Sequence, residues 1–300
     1  MSPPPVVVVG DVMTDVVART DRPLAPASDT PAEIVMRPGG SAANTAAWLG
    51  GLGVPVVFVG CVGDDAAGRE AARALESSGV DARLTVAPGA ATGACVVLVD
   101  AGGERTMLPD AGANALLGVS AVPWDLLSAG GHLHVSGYAL LRASTRDAAV
   151  AALERAHDAG VTTSVDPASA APLAEVGGAT FRALVRGVDV VLATLDEAEV
   201  LCGSRDPRVV SDSLLAGHRE VVLKLGRDGA MWRDAAGGEA RVPSAEPPGP
   251  VVDTTGAGDA FAAGWLAARR TGADPEAALA TACRMAASVV TIPGARPTPG

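Results

Sequence analysis

The chain has 300 residues, of which 48% are hydrophobic and 19% charged, and its formal net charge is -11. That apolar fraction is ample for a sizeable buried core and excludes wholesale disorder. Lys and Arg form no clustered run beyond Arg269-Arg270, which a helix end explains. The cations that would neutralise a phosphate backbone are therefore missing, and nucleic acid is excluded as the main ligand.

The start, Met1-Ser-Pro-Pro-Pro5, has no basic segment, and the apolar run at 6–9 is too short for a signal-peptide core. No stretch approaches the length of a membrane span. Cys61, Cys95, Cys202 and Cys283 lie far apart among apolar or small neighbours, as reduced buried thiols do. A cytoplasmic protein with no membrane partner is expected. Short Val-rich runs follow at 6–9, 56–59, 94–99, 133–136, 162–165, 188–192 and 221–225. Several are continuously apolar, which fits strands buried on both faces of a parallel sheet. Between them lie helical spacings with end signals. Ser144-Thr-Arg-Asp147 reads as a capping box before a helix closed by Gly160, and Asp274-Pro275-Glu276 as the cap and first turn of a helix over 277–290. The alternation predicts an α/β fold, a doubly wound and mostly parallel sheet flanked by helices.

Two stretches break the rhythm. Residues 12–38 hold four prolines around Glu33-Ile-Val-Met36, and 82–110 read as consecutive strands around a turn at Asp100-Ala-Gly-Gly103. The expected organisation is a core of 1–11, 39–81 and 111–300 with a small β-sheet lid of 12–38 and 82–110.

The strongest chemical signal is Asp253-Thr-Thr-Gly-Ala-Gly-Asp-Ala-Phe-Ala-Ala-Gly264. Phe261, Trp265 and Ala268 recur at helical spacing, so a helix begins near Gly258. Small residues before it leave backbone N–H groups open to an anion, and the first turn adds unpaired N–H groups and partial positive charge. Together these make a pocket for a transferring phosphoryl group. A carboxylate would repel that phosphate, so Asp259 makes chemical sense as the base that takes a proton from an attacking hydroxyl. The bland alternative is an ordinary acidic first turn. The second signal is Gly39-Gly-Ser-Ala-Ala-Asn44, two glycines leading into a small-residue helix. The Asn44 amide can donate and accept at once, as a polyol requires; the alternative reading is a tight turn with Asn44 as a helix cap.

These two runs, in this order, resemble the signatures of the ribokinase, or PfkB, family of carbohydrate and nucleoside kinases. The likeness extends to Gly60-Cys-Val-Gly-Asp-Asp-Ala-Ala-Gly68, Gly103-Glu-Arg-Thr106, Gly112-Ala-Asn114 and Gly294-Ala295. It implies a ribokinase-like fold with a lid, ATP as phosphoryl donor, Mg2+, and K+ in those members that use it. By that resemblance Asp259 is the base and Gly256, Ala257 and Gly258 form the anion hole. Asp15, Gly39, Gly40, Asn44, Ser136 and Gly137 hold the substrate. Thr194, Lys224, Gly226, Gly229 and Cys283 fall at the nucleotide site, with Glu197 reaching Mg2+ through water. Asp253, Thr255, Gly294 and Thr298 correspond to a monovalent-cation loop. One departure is Thr194-Leu-Asp-Glu197, where the family usually has Asn-x-x-Glu; Thr lacks the amide, and the pair also reads as a capping box.

The expected substrate is a sugar or sugar acid. A nucleoside is the alternative, because the motifs are shared and Tyr138 follows Ser136-Gly137 closely enough to stack a base. A non-catalytic ligand-binding protein on the same fold is a second alternative. A homodimer through the lid is expected from its exposed strand edges. His132 and His134 lie two apart on a strand and face the same way, without an evident third metal ligand. His157 and His218 read as surface or helix-end residues. No P-loop and no Gly-x-Gly-x-x-Gly fingerprint is present, which disfavours a nicotinamide enzyme.

Overall fold

The computed structural model describes residues 4–128 and 130–297. The chain opens with β1 (Val6–Val9), then β2 (Met13–Arg19) and β3 (Glu33–Gly39), and enters α1 (Ser41–Gly51). Next come β4 (Val56–Gly63), α2 (Ala66–Ser77), β5 (Asp81–Ala87), β6 (Ala94–Val99) and β7 (Arg105–Asp110). After short 3-10 turns the alternation resumes with β8 (His132–Ser136), α3 (Gly137–Leu141), α4 (Ala143–Asp158), β9 (Thr162–Asp166), α5 (Ala170–Val176) and α6 (Gly178–Leu184). It continues through β10 (Val190–Thr194), α7 (Leu195–Cys202), α8 (Pro207–Leu215) and β11 (Glu220–Lys224). The hairpin β12 (Ala230–Asp234) and β13 (Glu239–Val242) precedes α9 (Ala257–Arg270) and α10 (Pro275–Val289).

Nine strands form one sheet in the order β13-β12-β11-β10-β9-β8-β1-β4-β5. Pairing is parallel from β5 to β11 and antiparallel across β12 and β13. Val7 and Val9 join one apolar layer while Val6 and Val8 join the other, so β1 is buried on both sides. The first layer packs under α4 to α8, and the second under α1, α9 and α10, with Trp48, Phe58, Leu192, Trp265 and Leu279 at its centre. The order runs outward from β1 in both directions. Such a reversal opens a crevice at the carboxyl ends of the strands, where loops on either side turn away.

The lid is a second sheet, β3-β2-β6-β7. Its start was expected at 82, but β5 pairs in parallel with β4 over Val57 to Gly63 and belongs to the edge of the main sheet. The second lid segment therefore begins at β6. Sequence patterning misses this because an edge strand covered on one face alternates, as a lid strand does. Two local expectations also shift. Ser144 is inside α4, where its hydroxyl bonds Ala115 O, and the residue at the helix start is Arg142 without a side-chain cap. Asp274, by contrast, accepts from Ala277 N as anticipated. Among the described residues, no helix is long and apolar enough to cross a membrane.

Leu192 is 0% exposed at the centre of β10. Leu192→Ala is expected to cost about 2–5 kcal/mol in urea unfolding, the usual range for a cavity in a tight core. A loss under 1 kcal/mol would contradict this placement.

Candidate active site

The site is assembled at the strand ends. In register, Ser136 at the end of β8 stands beside Asp166 of β9, and Thr194 of β10 beside Lys224 of β11. Asp11 follows β1 directly. Its carboxylate accepts from Ser41 N at 2.9 Å, Ala42 N at 3.3 Å and the Ser136 hydroxyl at 3.3 Å. Asp11 thus caps α1 from outside the helix, and Gly40 precedes it with φ 93°. Asn44 is not the cap but a first-turn residue, so its amide is free to point outward.

That amide reaches the head of α9. Asp259 Oδ2 accepts from Asn44 Nδ2 at 2.9 Å, and Oδ1 accepts from the Ser41 hydroxyl at 2.8 Å. Gly256 adopts φ 78° immediately before the helix, and a Cβ there would lie 2.6 Å from Ala295 Cβ, so only glycine fits. In the turn that follows, Ala257 N donates to Thr254 O at 3.4 Å and Ala260 N to Gly256 O at 2.8 Å. A Cβ built on Gly258 would lie 3.5 Å from Lys224 Nζ, which puts an ammonium beside the same helix head.

Burial pushes the Asp259 carboxyl up to about 7; the Asn44 and Ser41 bonds oppose this, and the charges of Asp166 and Asp11 add to it. Burial likewise carries Asp15, on β2, to about 6, against the pull of Arg296. Lys224 donates to Asp166 Oδ2 at 2.6 Å. Burial alone would strip its proton, but Asp166 and Glu197 outweigh that and hold it charged. Glu197 accepts from Thr194 N at 2.8 Å while the Thr194 hydroxyl accepts from Glu197 N at 3.3 Å, the capping box anticipated from sequence. Gly226 and Gly229 shape the turn from β11 into β12, next to Lys224. Cys283 is farther back, buried on α10 in the apolar layer that includes Trp232 and Val242, where its thiol is pushed up to about 11 by burial.

Asp253 draws the preceding loop together by accepting from Thr255 N at 2.8 Å and Gly294 N at 3.1 Å. It also pairs with Arg105 of β7 at 2.7 Å, an ion pair from the second sheet to the loop before α9. Thr298 lies outside the described residues. Ser136 ends β8 beside Asp11, Gly137 opens α3, and Tyr138 follows with its hydroxyl in the field of Asp11 and Asp259. His132 Nε2 and His134 Nδ1 both meet the Ser164 hydroxyl, at 2.7 and 2.8 Å. His218 departs from the surface expectation: it is 8% exposed, and its Nδ1 meets Val188 O at 2.8 Å. A concavity of about 650 Å³ opens beside Gly160, Asp189 and His218 at the opposite ends of the strands and is a surface groove away from these groups.

Sequence reading missed Asp11, Ser41, Asp166, Arg105 and Arg296. Asp11 and Asp166 carried a usable signal, an acid at the carboxyl end of an apolar run in an α/β pattern.

The model of the pfkB family carbohydrate kinases matches residues 4–299. The chain belongs to the pfkB family. Among its relatives is the ATP-dependent ribose-1-phosphate kinase of Halopiger xanaduensis, 35% identical over 97% of this chain and 93% of that one. Adenosine kinase from Sinorhizobium meliloti superposes with a TM-score of 0.89 at 27% identity, covering 99% of this chain and 96% of that one. A ribokinase-type structure from E. coli in complex with ATP and Mg2+ superposes with a TM-score of 0.84 at 27% identity, covering 97% and 94%. The chain is thus a carbohydrate kinase on the ribokinase fold, as its two glycine-rich motifs implied.

Proposed function

We propose that this pfkB-family kinase transfers the γ-phosphoryl group of ATP to a hydroxyl of a sugar or sugar acid, with Asp259 as general base. The observation that carries this reading is the Asp259 carboxylate itself. It is held by two donors from α1 in the first turn of α9, pushed up to about 7, and faces the helix head that Lys224 flanks. A base poised near the working pH accepts a proton without leaving the site charged at the wrong moment. Asp15 and Asn44 position the acceptor, with Gly39, Gly40, Ser136 and Gly137 as the walls. The N–H groups at 256–258 and the Lys224 ammonium face the equatorial oxygens of the phosphoryl group. Lys224, Gly226 and Gly229 would hold the nucleotide.

The donor set fits Mg2+ in a limited way. Among the described residues, no three His, Cys, Asp or Glu side chains converge on an ion position. An ion here would take phosphate oxygens and water as ligands, with Glu197 reaching it through water. It would supply charge neutralisation between the β- and γ-phosphates. A monovalent cation at the 253–255 loop would compete with the Arg105 guanidinium for Asp253. The ATP and Mg2+ of the E. coli neighbour and the name of the Halopiger relative support the donor assignment. A cytoplasmic setting, suited to four free thiols, is part of the same reading.

Tyr138 favours a second reading, a nucleoside acceptor. It is 37% exposed beside the cleft, where its ring could stack a base. Purified protein with Mg-ATP and a panel of ribose, ribose-1-phosphate, fructose, 2-keto-3-deoxygluconate, adenosine and pseudouridine separates these readings by ADP release. Sugar-stimulated release is expected; release with nucleosides only would transfer the assignment, and none would leave a binding protein.

Asp259→Asn should retain ATP binding and lose at least about a hundredfold in kcat, the scale of base catalysis. Near-normal turnover would remove Asp259 from the role. The base works when ionised, so kcat/KM should rise with pH through about 7 and level off above it. Ser41→Ala deletes a bond that favours the ionised form, raising the pKa and moving the acid limb to higher pH. An acid limb that stays in place would contradict the bond's role.

The lid's outer face presents Met36, Val16, Val96 and Leu108 in one cross-strand row, with Met36 69% and Leu108 56% exposed. We assign this face to a homodimer contact. Light scattering should give a dimer for the native chain and a monomer for Met36→Glu; a native monomer would contradict it.

A further inference from the structure

Arg296 is a buried cation of the cleft that lies outside both glycine-rich motifs. It follows Gly294-Ala295 in the C-terminal loop and is 8% exposed. Its Nε donates to Asn44 Oδ1 at 2.8 Å and its Nη2 to the Gly39 carbonyl at 2.5 Å. Nη1 is buried and has no acceptor at bonding distance among the described residues. The other end of the same amide, Asn44 Nδ2, donates to Asp259 Oδ2 at 2.9 Å. Guanidinium, amide and carboxylate therefore form a continuous chain from the C-terminal loop to the base.

The chemistry of the three groups fixes their order. An Asn amide presents an acceptor at one end and a donor at the other, and the two ends are nearly the same size. Turned over, Asn44 would set its oxygen against the Asp259 carboxylate and its NH2 against a guanidinium that can only donate. Arginine has no acceptor, so its presence forces the orientation in which Asn44 donates to Asp259. The Nη2 bond to Gly39 ties down the Gly39-Gly40 turn from which α1 starts. The loop that carries Arg296 is itself braced, because Trp48 Nε1 donates to Ala295 O at 2.9 Å and Ala295 abuts Gly256.

Charge completes the case. Asp11, Asp15 and Asp259 crowd one cleft, and all three act on Arg296 to keep it protonated against burial, which brings it down to about 10. Lys224 is committed to Asp166 on the other side of the helix head. We infer that Arg296 is a positioning residue for phosphoryl transfer: it locks the Asn44 amide and the Gly39-Gly40 turn against Asp259 and supplies the fixed positive charge that three acids of the substrate cleft share. This rests on the reading of Asp259 as the base.

Two substitutions separate the two parts of the role. Arg296→Lys keeps the charge but loses the fork that grips amide and carbonyl together. It should lower kcat by about ten- to a hundredfold, the scale of a small misplacement of a catalytic group, with the acid limb of the pH profile unmoved. Arg296→Gln can still donate to Asn44 but removes the charge. The groups facing Asp259 are then Ser41 and Asn44 on α1, Asp11 after β1, Asp166 at the end of β9, Tyr138 on α3 and Lys224 at the end of β11. With Arg296 gone, the acids among them favour the protonated base, so the acid limb should move to higher pH and turnover recover in alkali. A purely structural role would lower Tm and leave that limb in place.

If R296Q does not accumulate as folded protein, R296K carries the test through Asn44. In an Asn44→Ala background it should cost little more than N44A alone, since the amide it acts on is absent. A wild-type kcat for R296K, an unmoved acid limb in folded R296Q, or a double variant that loses the full product of both single effects would each overturn the inference. Retained turnover in D259N would instead remove the base assignment itself. A wild-type-like R296K in an enzyme that D259N inactivates sinks only the role of Arg296.

Discussion

The site depends on one half-buried carboxylate, that of Asp259. Ionised Asp259, close to the carboxylates of Asp11 and Asp166, would be costly unless donors and positive potential surrounded it. The fold supplies both from distant parts of the chain. Two hydrogen bonds come from α1, across 218 and 215 residues of sequence, and the partial charge of the α9 head comes from its own helix. These donors offset burial only in part, so the carboxyl stays near neutrality in its proton affinity. In the proposed reaction the helix head would face the phosphoryl group while the Asp259 side chain takes the proton.

The rest of the architecture holds this carboxylate in place. The strand order reverses around β1, so Asp11, Ser136, Asp166, Thr194 and Lys224 meet at the crevice. Asp11 caps α1 from the end of the first strand, which fixes the helix that carries Ser41 and Asn44. Only Gly40 separates lid strand β3 from α1, and Arg105 ties lid strand β7 to Asp253. The second sheet is thus linked to α1 directly and to the loop before α9 through an ion pair. Closure over a bound acceptor would exclude water from a site that could otherwise hydrolyse ATP.

Much of this was legible in the sequence, for physical reasons. Continuous Val runs mark strands buried on both faces, and the 253–259 run marks the head of a helix, which begins at Ala257. Thr194-x-x-Glu197 and Asp274-Pro275 announced caps that the structure contains. What escaped was set by tertiary contact. β5 alternates like a lid strand yet completes the main sheet. Ser144 met the spacing of a capping box but found Ala115 O instead. His218 looked like a helix-end residue, but its backbone partner Val188 lies in the loop before β10. Arg296 gave no local signal at all, since its partners Asn44 and Gly39 lie 252 and 257 residues away.

Direct titration of the Asp259 carboxyl is the most searching check. In protein labelled with 13C at aspartate carboxyls, one resonance should titrate with a midpoint near 7 and vanish from the Asp259→Asn spectrum. A midpoint in the ordinary range of exposed aspartates, about 4, would mean that the carboxylate is neither buried nor held as described.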